Sequence, residues 1–310
     1  MSGKFQHITS IGRQEPITAL DDNIKSFLDW SFLNIGAYVN VTIPTTGIDP
    51  IYNYHSLKST TDPSQKTKVW QSLRKDWVYE SVSGANIIPI SGIYLNSTFL
   101  PAPTGSGNYG YSINYPQGNI TFGKDVSSTS KVEVQYSYRY VQVYSSEEVG
   151  EWWKELVTSL YNPSTVKNTD TILTANHAVQ MPAIIIEPIA GTTQTPRELG
   201  TTQNIIYQYV MLHVLAENPT VRTNIANILL NQKDNTIFLY DPFKVVKNNV
   251  SQLKYDGSVN PSGMNYGQLY SDVSYRTNVC CIRNAIISEH NKITNTLYHS
   301  AVRWTMEIFP

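Results

Sequence analysis

The run KVEVQYSYRY, residues 131–140, constrains this chain more than any other stretch. Val132, Val134, Tyr136, Tyr138 and Tyr140 alternate with Glu133, Gln135, Ser137 and Arg139. Successive side chains of a strand point to opposite faces, so this alternation predicts a strand with one apolar and one polar face. Directly after Tyr140 the phase slips, because Val141 and Val143 continue the apolar set. A β-bulge at that point would absorb the slip.

The surroundings of the run share its texture. From residue 44 to 145 Pro, Gly, Ser, Thr and Tyr dominate. Strands are predicted over 86–94, 111–115 and 119–122. Between the last two, Pro116-Gln117-Gly118 is a turn, with Pro presetting φ and Gly closing the hairpin. One helical-looking piece spans 68–79. Residues 44–145 therefore read as a β-rich insertion. Before it, Asp21 and Asp22 open a predicted helix over 21–34, with Ile24, Phe27, Leu28 and Ile35 on one face and Gly36 as its stop. A strand over 37–43 follows, and residues 1–43 are assigned to the core.

Residues 146–310 read as an α+β unit. A helix over 145–160 has Ser145 and Glu148 at capping-box spacing and an apolar stripe of Val149, Trp152, Trp153, Leu156, Val157 and Leu160. Buried strands are predicted at 182–189 and 205–215, with a polar loop over 192–202 between them. Asn218-Pro219 starts a helix whose buried stripe is Val221, Ile225, Ile228 and Leu229. Further strands fall at 236–241, 279–288 and 302–309, and a long loop at 248–272. The fold class expected is α+β: a mixed or antiparallel sheet flanked by a few helices, carrying the β-rich insertion.

Composition excludes several functions. Lys+Arg is 23 and Asp+Glu 24, a net charge of −1, so there is no basic excess to displace counterions from nucleic acid. An apolar fraction of 41% is too high for a disordered chain. No apolar run approaches the roughly 18 residues that span a bilayer, so no membrane partner is expected. The first 15 residues carry no apolar stretch of leader length. The two cysteines, Cys280 and Cys281, are neighbours, which fits synthesis in a reducing compartment better than a disulfide scaffold. Charge is low at 15%, while Tyr numbers 21 against 8 Phe and 6 Trp. Interface cores favour that balance.

The chemical motifs do not hold up. Residues 105–110, GSGNYG, match a dinucleotide fingerprint, but Pro101-Ala102-Pro103 precedes them in place of a buried strand. None of the six histidines has a second ligand at metal spacing, and adjacent cysteines on a strand face opposite ways, so no metal is expected. His213, within an apolar strand, reads as a satisfied core or interface histidine. The pairs Asp21/Asp22 and Glu147/Glu148 sit at helix starts, where the macrodipole favours them. No catalytic residue, cofactor or enzymatic activity is expected.

Two stretches resemble virion proteins. One is the order strand, loop with Arg197-Glu198-Leu199-Gly200, long strand, helix 220–231, and strand ending in Tyr240-Asp241. It is similar to tail terminator and neck proteins of tailed bacteriophages. SGIYLNSTFLP, YGYSINYPQGNITF and VEVQYSYRYVQVY resemble β modules of virion structural proteins. The resemblance implies a virion protein, assembled in the host cytoplasm, that closes a ring, usually a hexamer. Such a ring caps the tail tube, joins the head connector or stopper, and passes DNA as cargo. Sheath proteins are further implied partners. Within that expectation Tyr109, Tyr111 and Tyr115 on the hairpin, and Tyr255, Tyr266 and Tyr270 on the long loop, are interface candidates. Ordinary half-buried packing accounts for each equally well. The alternatives are a baseplate, tail or fibre-attachment component with a host- or glycan-binding insertion, and a polysaccharide-cleaving tail protein.

Overall fold

The computed structural model describes residues 19–44, 53–82, 84–101, 110–149, 179–197 and 204–309. The fold is α+β with a β-rich body. The chain forms two compact units, one of residues 1–30, 142–250 and 264–310, the other of 31–141 and 251–263.

Helix α1 (Leu20–Asn34) has Asp21 and Asp22 in its first turn and buries Leu20, Ile24 and Leu28 on one side. Its end is a Schellman motif: Ala37 N–H donates to the Phe32 carbonyl (2.9 Å) and Gly36 N–H to that of Leu33 (3.0 Å). Gly36 has φ +85°, which glycine tolerates. Ile35, expected on the apolar face, lies beyond the last turn and is exposed.

The β-rich unit contains β1 (Tyr38–Val41), β2 (Ser56–Ser59), β3 (Val69–Gln71), β4 (Gly92–Leu95), β5 (Thr98–Pro101), β6 (Tyr111–Asn114), β7 (Asn119–Phe122), β8 (Val132–Val134) and β9 (Tyr136–Arg139). Seven strands form one antiparallel sheet in the order β5-β4-β8-β2-β3-β7-β6. The strand assigned by sequence to the core, β1, pairs instead with β9 of this unit. Trp77, Phe122, Ile93, Ile120, Val132, Val134 and Tyr136 fill the interior. Each such side chain contributes roughly 1.5–3 kcal/mol on burial.

The KVEVQYSYRY run departs from its simple reading in three ways. It breaks at Gln135, so β8 and β9 belong to different sheets. Its apolar set is buried from Val132 to Tyr138, while Tyr140 is exposed. Its polar set is buried too at Glu133, Ser137 and Arg139, and each has partners. Glu133 lies 3.3 Å from His55 and 3.1 Å from Lys131. Ser137 Oγ donates to Asn40 Oδ1 and accepts from Ile88 N–H. Arg139 pairs with Glu80. A buried polar group without such partners would cost several kcal/mol, roughly 2–7 by transfer scales. The phase slip after Tyr140 is a change of sheet, not a bulge.

Strand β10 (Gln142–Ser145), α2 (Ser146–Val149), β11 (Ala183–Pro196), β12 (Asn204–Ala216), α3 (Pro219–Leu230), β13 (Thr236–Tyr240), α4 (Pro242–Lys247), α5 (Tyr266–Ser271), β14 (Arg276–Lys292) and β15 (Tyr298–Phe309) make the other unit. Its six-stranded sheet has the order β10-β11-β12-β15-β14-β13. Only β10 and β11 run parallel, so the sheet is mixed. On α3, Asn218 caps the start by accepting from Thr220 N–H at 2.8 Å, with Pro219 in the first position. Ile225, Ala226 and Leu229 are buried, and Trp304 Nε1 donates to the Leu229 carbonyl (3.0 Å). Fully buried Asn23 ties α1 to the end of β13, donating to the Tyr240 carbonyl and accepting from Tyr240 N–H.

Several sequence-predicted elements shift. Strand β11 continues to Pro196 through a register shift between Ile189 and Thr193, where a loop over 192–202 was expected. Thr193 and Thr195 are β-branched and find partners on β12. Residues 86–91 are not strand; only 92–95 are. The helix expected over 68–79 is a short strand and turns. The helix expected over 145–160 begins as α2 with its capping pair present, Ser145 N–H donating to Glu148 Oε2 and Glu148 N–H to Ser145 Oγ. Trp152, Trp153, Leu156, Val157 and Leu160 lie outside the described residues, as do residues 198–203.

Candidate functional site

The long loop of 248–272 resolves into two structures. Residues 251–263 fold with the β-rich unit as a narrow hairpin, bridged between Leu253 and Val259. Lys254 N–H donates to the Ser258 carbonyl (2.8 Å) and Gly257 N–H to that of Lys254 (2.9 Å). Asp256 Oδ1 accepts from both the N–H and the hydroxyl of Ser258. Those bonds hold the Asp256 carboxyl below its ordinary pKa. Gly257 has φ +77°, and a Cβ there would fall 2.5 Å from the Asn114 side chain. Buried Asn260 closes the base, donating to the Ser251 carbonyl. The remainder becomes α5, whose start is a full capping box of Asn265 and Gln268.

The six interface candidates fare differently. Tyr255 stands at the hairpin tip with a relative exposure of 110%. Tyr111 is interior, its hydroxyl donating to the Leu100 and Pro101 carbonyls and its pKa raised by burial to about 12. Tyr266 is also interior, donating to the Phe238 carbonyl (3.0 Å). Neither presents a surface to a partner. Tyr115 is half-buried with its ring edge-on to Tyr79, and Tyr270 is half-buried and stacked on Phe238 at 5.5 Å. Tyr109 lies outside the described residues.

On the six-stranded unit, α4 carries a second exposed set that sequence reasoning missed. Asp241 caps it, accepting from Phe243 and Lys244 N–H, and Val245 is its buried anchor. Phe243 and Val246, three apart and so on one face, are 55% and 69% exposed. Lys244 and Lys247 flank them in the last turn. The turn at 272–275 is tied to α4: Asp241 N–H donates to the Tyr275 carbonyl (3.1 Å) and Lys244 Nζ to that of Ser274 (3.5 Å). That turn presents Val273, 76% exposed. Asp272 Oδ1 accepts from Ser274 N–H, and this bond lowers its carboxyl pKa.

In the same unit Glu187, His213 and His299, on β11, β12 and β15, form a linked titratable group. His213 Nε2 lies 3.1 Å from Glu187 Oε2, and His213 Nδ1 lies 3.0 Å from His299 Nε2. A carboxylate only accepts, so Nε2 of His213 carries the proton and Nδ1 accepts from His299 Nε2–H. His299 is fully buried, and burial pushes its pKa down to about 3. His213 is thus the partnered interior histidine expected from sequence. The trio holds three strands together and can share a proton along its length. Cys280 is buried and Cys281 half-buried, on opposite sides of β14; burial raises the Cys280 thiol pKa.

In the β-rich unit Arg74 lies over two tyrosine rings, 4.9 Å from the Tyr54 centroid and 5.2 Å from that of Tyr138, and donates to the Tyr54 hydroxyl (3.0 Å). Among the described residues no group of three His, Cys, Asp or Glu is placed to hold a metal ion. Among them, too, no helix is long and apolar enough to cross a membrane. No protein-family model and no curated protein sequence matches the chain.

Proposed function

We propose that this chain is a structural virion protein of a tailed bacteriophage, a tail terminator or neck component that closes a ring on the tail tube and joins it to the head connector. The observation that carries the reading is the architecture of the six-stranded unit. Its sheet ends in β10 on one side and in β13 on the other, where Asn23 and Tyr266 already take backbone groups of Tyr240 and Phe238, so a further chain would meet exposed side chains and not a bare β13 edge. Exposed aromatic and aliphatic side chains at Tyr255, Phe243, Val246 and Val273 add apolar area of the kind assembly surfaces use. The mechanism is association: copies join through unlike faces until the ring closes, and the growing tail loses its free end. The reading includes no catalytic step and no cofactor. The near-neutral net charge of −1 suits a lumen that passes DNA without retaining it.

A second reading, a fibre or baseplate component with a glycan-binding insertion, draws on the Arg74–Tyr54–Tyr138 cluster and exposed Tyr140 of the β-rich unit. Aromatic rings and a fixed guanidinium are what an acidic sugar needs.

Electron microscopy of particles assembled without this chain separates the two. Filled heads beside unjoined or overlong tails are expected. Complete particles with heads and tails attached would end the terminator reading and favour the second.

A further inference from the structure

Tyr255 combines full exposure with a rigid support. The hydrogen bonds of Lys254, Asp256, Gly257 and Ser258 fix the turn beneath it, and Tyr115 N–H donates to the Gly257 carbonyl (3.1 Å) to fix the turn against hairpin β6–β7. Docking such a residue freezes little beyond its own side-chain torsions, so most of its apolar contact is retained as affinity. Its neighbours are of opposite sign: Lys254 on one side and Asp256, held ionised by Ser258, on the other.

The α4 face has the matching chemistry. Its centre is Phe243 and Val246, with Val273 on the attached turn. Around that centre stand Lys244 and Lys247 on the helix and Asp272 on the turn. An apolar centre ringed by charges is the anatomy of an interface hot spot. The two rims carry both signs, so each charge of the tip has a counterpart on the face.

We infer that the Tyr255 tip of one copy seats on the α4 face of a second copy, the ring against Phe243 and Val246, Asp256 toward Lys244 and Lys247, and Lys254 toward Asp272. The occupant is a second copy, because the charges are complementary: Asp256 of the tip answers Lys244 and Lys247 of the face, and Lys254 answers Asp272. Tip and face are different surfaces, so the contact is heterologous: each copy keeps an unused tip or face until a ring closes. This inference rests on the ring-forming reading above and names one contact within it.

The test uses the full chain with Tyr255 replaced by the photo-crosslinker p-benzoylphenylalanine, mixing isotope-labelled and unlabelled copies. Irradiation followed by mass spectrometry is expected to join position 255 to residues 242–247 or 272–275 across differently labelled copies. In sedimentation velocity, Tyr255→Ser and Val246→Ser are each expected to weaken self-association at least about tenfold. Crosslinks to another surface, or serine variants that assemble like the parent, would overturn this contact and leave the ring reading standing. A parent chain that stays monomeric at every concentration would overturn both.

Discussion

The His213 and His299 rings lie nearly parallel and edge to edge, their planes 15° apart and Nδ1 of the first 3.0 Å from Nε2 of the second. Two imidazoles this close share one hydrogen bond and leave no room for a second proton. Burial, then His213, Arg222 and His290, push the His299 pKa down to about 3.

That depression makes stability depend on acid. The unfolded chain binds a proton near the ordinary histidine value while folded His299 does not, so its contribution falls as pH drops from about 6.5 toward 3. The slope is at most about 1.4 kcal/mol per pH unit. His299→Phe is expected to cost about 1–3 kcal/mol at pH 7, because His213 Nδ1 loses its donor, and to lose less than the parent on going to pH 5. Urea unfolding at both pH values measures this; parallel losses in parent and variant would contradict it.

Asp21 behaves oppositely. Burial, Asp22 and Glu147 raise its pKa to about 6, even though it sits in the first turn of α1, and Oδ1 has no partner. Lys25 does not relieve it, being paired with Glu148. A raised carboxyl pKa means that ionised Asp21 opposes folding above pH 6, and the penalty fades as pH falls from about 6 to the unfolded value of 3.8. With allowance for solvent screening, Asp21→Asn should gain roughly 1 kcal/mol at pH 7. At pH 4 the gain should be nearly gone. A variant equally or less stable than the parent at pH 7 would refute the argument.

The pair Glu80–Arg139 is almost fully buried, at 5% and 9% side-chain exposure. Removing one member strands the other's charge in the interior. Arg139→Leu should cost about 3–5 kcal/mol, whereas the double variant Glu80→Leu with Arg139→Leu should cost clearly less than the sum of the singles. A double-mutant cycle by chemical denaturation decides it; simple additivity would mean that the two charges do not depend on each other.

Gly118 has φ +60°, and a Cβ there would lie 2.4 Å from the Arg74 carbonyl oxygen. Gly118→Ala therefore meets both backbone strain and a clash with main chain, and should cost at least roughly 2 kcal/mol. Unchanged thermal unfolding would show that the turn can move aside.

Much of the fold is legible where local chemistry and tertiary packing agree. The hairpin at 111–122 follows from Pro116-Gln117-Gly118, and α3 from the Asn218-Pro219 start. The stretch 68–79 misleads because Trp70, Leu73 and Trp77 mimic helical spacing. Trp70 and Trp77 are buried, but Leu73 is 56% exposed and Asp76 takes φ +52°, which ends any helix. Helix α5 was readable from Asn265 and Gln268 at capping-box spacing, though its Asn- and Gly-rich surroundings hide it. The candidate surface was less legible. A tyrosine count does not distinguish Tyr255, held outside, from Tyr111 and Tyr266, whose hydroxyls find carbonyls inside. The Phe243–Val246 face is missed because a helix of six residues leaves too little periodicity to separate buried Val245 from its exposed neighbours.

Residues 132–145 serve three sheets in succession, as β8, β9 and β10, with no loop between them long enough to absorb a change in length. One inserted residue near Gln135 would reverse the parity of the stretch that follows, exchanging Tyr136 and Tyr138 with Ser137 and Arg139 and pulling β10 out of step with β11. Among descendants of this gene, point changes in the run can be repaired one at a time, but insertions and deletions cannot. Its spacing should therefore drift more slowly than its residues, and that spacing is the trace by which distant kin could be recognised.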